Sequence, residues 1–264
     1  MELSRPIIES TANLKVKELR SLHRRSARHG ERLFLVEGVR LLEEALQAGV
    51  ALTLVLYVAE RLQETPRGAA LLARLAGHPA AFAATPQVLD RAAETVTPQG
   101  VVAAVALPEL PPAAGPILIL DQLRDPGNCG TILRTAEAAG AGLVLCAAGT
   151  VDPFSPKVVR AGMGAHFRLP LRADVGWAEI AGAVAGRQVL LAEARGGRPY
   201  DAVDWRRPTA LIVGGEAAGP SPEARCLATA AVSIPMAGDA ESLNAAVAAG
   251  ILLFEAARQR HDQP

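Results

Sequence analysis

Three short stretches carry residue types from which a polar reaction site could be built. In 120–141, LDQLRDPGNCGTILRTAEAAGA, a strand-like apolar end leads into a Pro-Gly turn, Asn128 and, six residues later, Arg134. Asn128 is expected to cap the helix that follows. Arg134, nearly two turns along, is expected to point its guanidinium back toward that end. In 210–223, ALIVGGEAAGPSPE, an apolar strand runs into Gly214, Gly215, Glu216 and Gly219. Glycine there lets backbone approach a ligand where a side chain would not, and Glu216 is a carboxylate held among the glycines. In 234–244, Ile234, Pro235 and Met236 offer an apolar slot with free carbonyls, and Ser242, Leu243 and Asn244 bring a hydroxyl and an amide to the start of an alanine-rich helix. Taken singly, each stretch is also what an ordinary capped helix or Gly-rich turn looks like, and Ser242 alone is a simple N-cap.

The elements that must position these residues follow from the apolar patterning. Half of the 264 residues are apolar but only 3% are aromatic, so small side chains and close backbone contacts do the packing. Four prolines fall within 106–116, ALPELPPAAGP, a stiff connector that cannot be helix interior. The division expected from it is an N-terminal domain over 1–107, a Pro-rich linker over 108–115 and a second domain over 116–264. Beyond the linker the rhythm is strand, helix, strand: PILILD, then CGTILRTAEAAG closed by Gly140, then GLVLCA. Further strands are expected at QVLLAEA, TALIVGG and AAVSIP, and a last helix from about 243 to 260. The fold class is therefore α/β with a parallel sheet, whose ligand sites lie beyond the carboxyl ends of its strands. No G-x-G-x-x-G follows a strand, which weighs against a dinucleotide enzyme.

Before the linker, a small α/β unit is expected: a helix-like stretch from Leu14, a turn at Gly30, a strand at 33–36, helices near 39–48 and 68–75, and a strand LTLVLYV between them. Residues 14–32 hold seven Lys or Arg against two Glu. That window is either a solvated helix face or a phosphate-tracking surface, which a chain of zero net charge needs if it binds RNA. Cys129, Cys146 and Cys226 lack metal-ligand spacing and are expected to be small buried hydrophobes, with no metal site. No run approaches the roughly 20 apolar residues that span a bilayer, and the start lacks a basic stretch followed by an apolar one, so a cytoplasmic protein without membrane contact is expected.

Together, in this order and spacing, the three stretches resemble the motifs of the SpoU-type (TrmH-like) RNA ribose 2′-O-methyltransferases of the SPOUT class. The matching residues are Asn128, Gly130, Arg134 and Ala136; Gly214, Glu216 and Gly219; and Ile234, Pro235, Met236, Ser242, Leu243, Asn244, Glu255 and Arg258. The segments 151–171 and 32–46 are similar to parts of members that methylate ribosomal RNA and carry an N-terminal substrate-binding domain. Ala245, Ala246 and Pro220 depart from the common pattern without removing a catalytic group.

The resemblance implies a deep C-terminal trefoil knot, a homodimer through the C-terminal domain, S-adenosyl-L-methionine as cofactor and a ribose 2′-hydroxyl as acceptor. It implies cofactor contacts at Gly214, Gly215, Gly219, Ile234, Pro235, Met236 and Leu243, and catalytic roles for Asn128, Arg134, Glu216, Ser242 and Asn244. Arg134 would lower the cost of an oxyanion, Asn128 would orient the reacting groups, Glu216 would hold Arg134 or the cofactor pocket, and Ser242 and Asn244 would shape the mouth. Large-subunit ribosomal RNA is the favoured substrate; transfer RNA and a non-catalytic, RNA-binding assembly factor on the same fold are the alternatives.

Overall fold

The computed structural model describes residues 6–215 and 219–261, and Glu216 lies outside the described residues. The chain forms two compact units, one running to Pro108 and including Phe154–Arg160, the other comprising 109–153 and 161 onward.

In the first unit, strands β1 (Leu33–Glu37), β2 (Leu52–Tyr57), β3 (Ala81–Ala83) and β4 (Val101–Ala106) make one sheet in the order β1-β4-β2-β3. β4 is antiparallel to both neighbours, and β2 and β3 are parallel. Around it are helices α1 (Leu14–Ser21), α2 (Arg25–Glu31), α3 (Val39–Gln47), α4 (Ala59–Gln63), α5 (Pro66–Leu75) and α6 (Pro86–Ala92). Val16, Leu19, Leu22, Leu56 and Leu89 are fully buried in its core. Each such side chain contributes about 1.5–3 kcal/mol by leaving water.

The basic window differs from expectation in two ways. Its helix breaks at residues 22–24, and α2 runs through Gly30 to end at Arg32, which takes the left-handed turn at φ 54°. Arg28 is also no part of a solvated face. It is 3% exposed and donates from Nη1 to the carbonyls of Leu22 and His23 at 2.7 and 2.9 Å, satisfying groups left open where α1 ends.

Beyond Pro108, β5 (Ile117–Asp121), α7 (Pro126–Ala138), β6 (Leu143–Ala147), α8 (Pro156–Gly162), β7 (Leu171–Val175), α9 (Trp177–Ala183), β8 (Gln188–Ala192), β9 (Arg198–Pro199), β10 (Thr209–Gly214), α10 (Pro222–Leu227), β11 (Ala230–Ser233) and α11 (Ala245–His261) follow in turn, all in the second unit except most of α8, which belongs to the first. Seven strands form one sheet in the order β7-β6-β5-β10-β8-β11-β9, every neighbouring pair parallel. β5 and β6 are buried along their whole length, as strands covered on both faces must be. Ile119, Leu145, Val189 and Ile212 share one apolar cluster with Ile180 of α9 and Ala224 of α10. α11 packs against α7 and β10, burying Ala246, Ala249, Leu252, Leu253, Ala256 and Ala257. Small residues on that stripe let it lie close to its neighbours.

Cys129 and Cys146 are buried, and burial pushes the Cys146 thiol well above its ordinary range, so it stays protonated. Cys226 departs from expectation: it lies on α10 and is exposed. No helix among the described residues is long and apolar enough to cross a membrane.

Candidate active site

β5 and β10 run side by side, so their carboxyl ends deliver Asp121 and Gly214 to the same edge of the sheet. Beyond β5 the chain turns into α7, and the helix begins earlier than the sequence suggests. Asp125 is its N-cap, accepting the Asn128 N–H at 2.7 Å, and Pro126 occupies the first turn. Asn128 is therefore inside the helix and not its cap, which releases its side chain for another task. Gly140, at φ +71°, closes the helix two residues past its end, as expected.

That other task is a contact with the third motif. Asn244 donates from Nδ2 to Oδ1 of Asn128 at 3.0 Å. The Asn244 Oδ1 in turn accepts from the Ala246 and Val247 N–H groups at 2.8 and 3.3 Å. Asn244, and not Ser242, thus supplies the oxygen that caps α11, and one amide both starts the helix and ties it to α7.

Between these elements lies a cavity of about 430 Å³, within the range of small-molecule sites. Its walls include Gly214, Gly215 and Gly219 from the second motif, and Ile234, Met236, Ser242, Leu243 and Asn244 from the third. Val213, Val232, Ala248 and Leu252 add apolar surface. Pro235 is exposed and outside the wall. The glycines serve the chain itself: a Cβ on Gly214 would stand 2.9 Å from the Pro220 nitrogen, and one on Gly215 would stand 2.3 Å from the Gln122 carbonyl oxygen. Asp121, fully buried, secures the far side of that loop by accepting the Ser221 N–H at 2.7 Å.

Arg134 is exposed on α7, outside the cavity wall, and carries no hydrogen bond or ion pair among the described residues. Its guanidinium remains available to an anionic partner. Glu255 and Arg258 form an ion pair at 2.8 Å on α11, and that hydrogen bond holds the Glu255 carboxyl below the usual carboxylate range. Gln259 beside them donates to the Val203 carbonyl and accepts the Trp205 N–H, so the end of this motif anchors a loop and does not enter the cavity.

Two contributors escaped sequence inspection. Asp125 stands three residues before Asn128, a spacing that could have marked it as the cap. Glu193 lines the cavity directly after β8 and belongs to none of the three motifs. The rule that ligands gather at the carboxyl ends of parallel strands was the available signal for it. Among the described residues no cluster of His, Cys, Asp or Glu could hold a metal ion.

The cavity has the wall of a small-molecule site: apolar strand ends, one glycine-bearing edge at 214–219 where backbone is accessible, and few polar side chains. Comparison with known proteins agrees. Residues 115–254 match the model of the SpoU rRNA Methylase family, and residues 13–103 match the MRM3-like substrate binding domain. The chain is 34% identical to the 23S rRNA (guanosine(2553)-2′-O)-methyltransferase RlmP of Bacillus subtilis, over 94% of this chain and 97% of that one. Among solved structures it resembles the SpoU methyltransferase AviRb from Streptomyces viridochromogenes in complex with AdoMet, with TM-score 0.83 and 33% identity over 96% of this chain and 100% of that one. It likewise resembles the AdoMet-bound rRNA methyltransferase from Sinorhizobium meliloti, with TM-score 0.82 and 33% identity over 98% and 99% of the two chains. With more than half of its length matched by one family model and near-complete coverage of curated relatives, the chain belongs to the SpoU rRNA methylase family.

Proposed function

We propose that the protein transfers a methyl group from S-adenosyl-L-methionine to a ribose 2′-hydroxyl of large-subunit ribosomal RNA. The observation that carries this is the Asn244–Asn128 hydrogen bond, which joins the first motif to the third at the mouth of a cavity walled by the second and third. RlmP is named for 2′-O-methylation of 23S rRNA, and the AviRb and Sinorhizobium meliloti structures hold AdoMet. These relatives favour ribosomal RNA over transfer RNA and favour an enzyme over a pure binding factor.

When bound, the cofactor supplies a methyl carbon made electrophilic by its sulfonium. The protein's part is to hold the acceptor in line and to ease loss of its proton. Backbone at Gly214, Gly215, Gly219, Ile234 and Leu243, with Met236 and Pro235 nearby, holds the cofactor. Asn128 and Asn244 orient the sugar, and Ser242 completes the mouth. Alignment of this kind is worth on the order of 7 kcal/mol or more in well-positioned systems. Arg134 contacts the target nucleotide and stabilises the charge developing on the 2′-oxygen. An arginine base is disfavoured because a guanidinium pKa is about 12.5 or higher. Glu216 supports Arg134 or the cofactor pocket.

The same reading assigns RNA binding to a domain over 1–107 and catalysis to a knotted domain over 116–264, joined by 108–115. The insertion of β10 between β5 and β8, with α11 returning onto α7, supports the knot. A homodimer through the C-terminal domain is supported by Val247 and Phe254, about half exposed on α11. A cytoplasmic setting fits ribosomal RNA as substrate.

The test is incubation of the purified protein with radiolabelled S-adenosylmethionine and either unmodified large-subunit ribosomal RNA or bulk transfer RNA, followed by mapping of alkali-resistant sites. Label in ribosomal RNA is expected. Label confined to transfer RNA would replace the substrate, and absence of cofactor binding would return the protein to the class of binding factors.

A further inference from the structure

Glu193 stands at the carboxyl end of β8, where its N–H donates to the Val232 carbonyl at 2.9 Å and fixes it beside β11. Among the described residues lining the cavity it alone has an ionisable side chain; Ser242 and Asn244 are the others with polar ones. The sheet order puts two strand spacings between β5 and β8, on the order of 10 Å. Glu193 is therefore across the sheet from the strand that leads to Asn128, toward the end of the cavity remote from the catalytic mouth.

Its carboxylate is held in place. Arg225 of α10 donates from Nη1 to Oε1, and Oε2 has no hydrogen bond among the described residues. The pair is partly buried on the glutamate side, with 23% of that side chain exposed. A carboxylate whose charge is balanced by a guanidinium exerts little net pull on a cation, because the two fields largely cancel beyond a few ångströms. Its second oxygen keeps its full capacity to accept a hydrogen bond from a neutral donor. Adenosine-type ligands offer such donors in the ribose hydroxyls, whereas the ammonium of the amino-acid tail is a cation.

We propose that Glu193 is a specificity residue for the nucleoside part of the ligand, its Oε2 accepting a hydrogen bond from a ribose hydroxyl while Arg225 fixes the carboxylate. The proposal rests on the reading of the cavity as an S-adenosylmethionine site. It adds a side-chain contact to a pocket whose other assigned contacts are mainly backbone.

Calorimetry on the full-length protein tests it with three ligands: S-adenosylhomocysteine, 5′-methylthioadenosine, which keeps the ribose but lacks the amino acid, and a 2′,3′-dideoxy analogue of the latter, measured by competition if weak. Glu193→Ala is expected to weaken the first two by the same factor, about tenfold to a hundredfold for a hydrogen bond to a charged group, and to leave the dideoxy ligand unchanged. Arg225→Ala is expected to give a smaller loss with the same ligand pattern. Both positions are partly exposed, and thermal unfolding checks that the variants are folded. Weakened S-adenosylhomocysteine with unchanged 5′-methylthioadenosine would place Glu193 on the ammonium and overturn the proposal, as would no change with any ligand. Failure of the unsubstituted protein to bind any of the three would instead overturn the cofactor reading, and the proposal with it.

Discussion

The side chains of Asn128 and Asn244 meet at 3.0 Å although 116 residues separate them in the chain. One residue lies in the first turn of α7, the other caps α11, so the mouth of the cavity exists only when both helices are seated. Asn244→Ser separates the two tasks of Asn244. Serine is as good an N-cap but is too short to reach Asn128. Stability is expected to change by less than about 0.5 kcal/mol, while methyl transfer falls by about a hundredfold through misplacement of the acceptor. Denaturant unfolding and a transfer assay on the same preparation check this.

Arg134→Ala is expected to abolish transfer while leaving cofactor affinity within about twofold, since Arg134 is exposed and outside the cavity wall. Calorimetry with S-adenosylhomocysteine beside single-turnover transfer decides it. Equal loss of both would remove Arg134 from its assigned role.

Gly215→Ala would drive a methyl group to 2.3 Å from the Gln122 carbonyl oxygen, a backbone atom that cannot swing aside. A loss of about 1–3 kcal/mol in stability is expected, with weakened cofactor binding because the wall itself must move. Melting temperature and binding should fall together.

Stability should also fall in mild acid because of His166. Burial lowers its pKa from 6.5 to about 4, despite a hydrogen bond with the Pro153 carbonyl at 2.7 Å. The folded chain therefore keeps this imidazole neutral at pH values where the unfolded chain has protonated it. Between pH 6.5 and 4 the unfolded state binds more protons, so stability declines as pH falls through that window and is fully retained above it. The change approaches about 3 kcal/mol, at 1.36 kcal/mol per unit. Unfolding free energies measured from pH 7.5 to 4 should show this slope, and His166→Gln should remove its share of it.

Val247→Glu combined with Phe254→Glu places two charges on the exposed apolar stretch of α11. Sedimentation is expected to show a dimer for the unsubstituted protein and a monomer for this variant.

The elements carrying the first motif were legible because their signals are local. PILILD and GLVLCA are apolar runs of strand length and became β5 and β6, and Gly140 marked the end of α7. Helix starts were less legible. Both Asp125 and Asn128 can cap, and so can both Ser242 and Asn244; which one does depends on which side chain a distant partner recruits. Asn128 and Asn244 recruit each other, a fact absent from either local sequence. Arg28 shows the same limit, since nothing in a basic run says which arginine will fold inward onto open carbonyls. The position of β10 is set by pairing across the whole domain and by no periodicity, and Glu193 was overlooked because strand ends acquire meaning only once the strands are ordered.

The central placement of β10 has a consequence for how the protein is made. During synthesis β5, β6, β7, β8 and β9 all leave the ribosome before β10 does. Until it arrives, β5 and β8 each present an unpaired edge of backbone donors and acceptors, the kind of surface that recruits other chains. Pairing over such sequence separations is slow, so the nascent domain has a prolonged exposure. Of the last four elements to emerge, β10, β11 and α11 also wall the cavity. A chain interrupted anywhere before α11 thus lacks a closed ligand site, and competence to bind becomes a report that translation has reached the end of the domain.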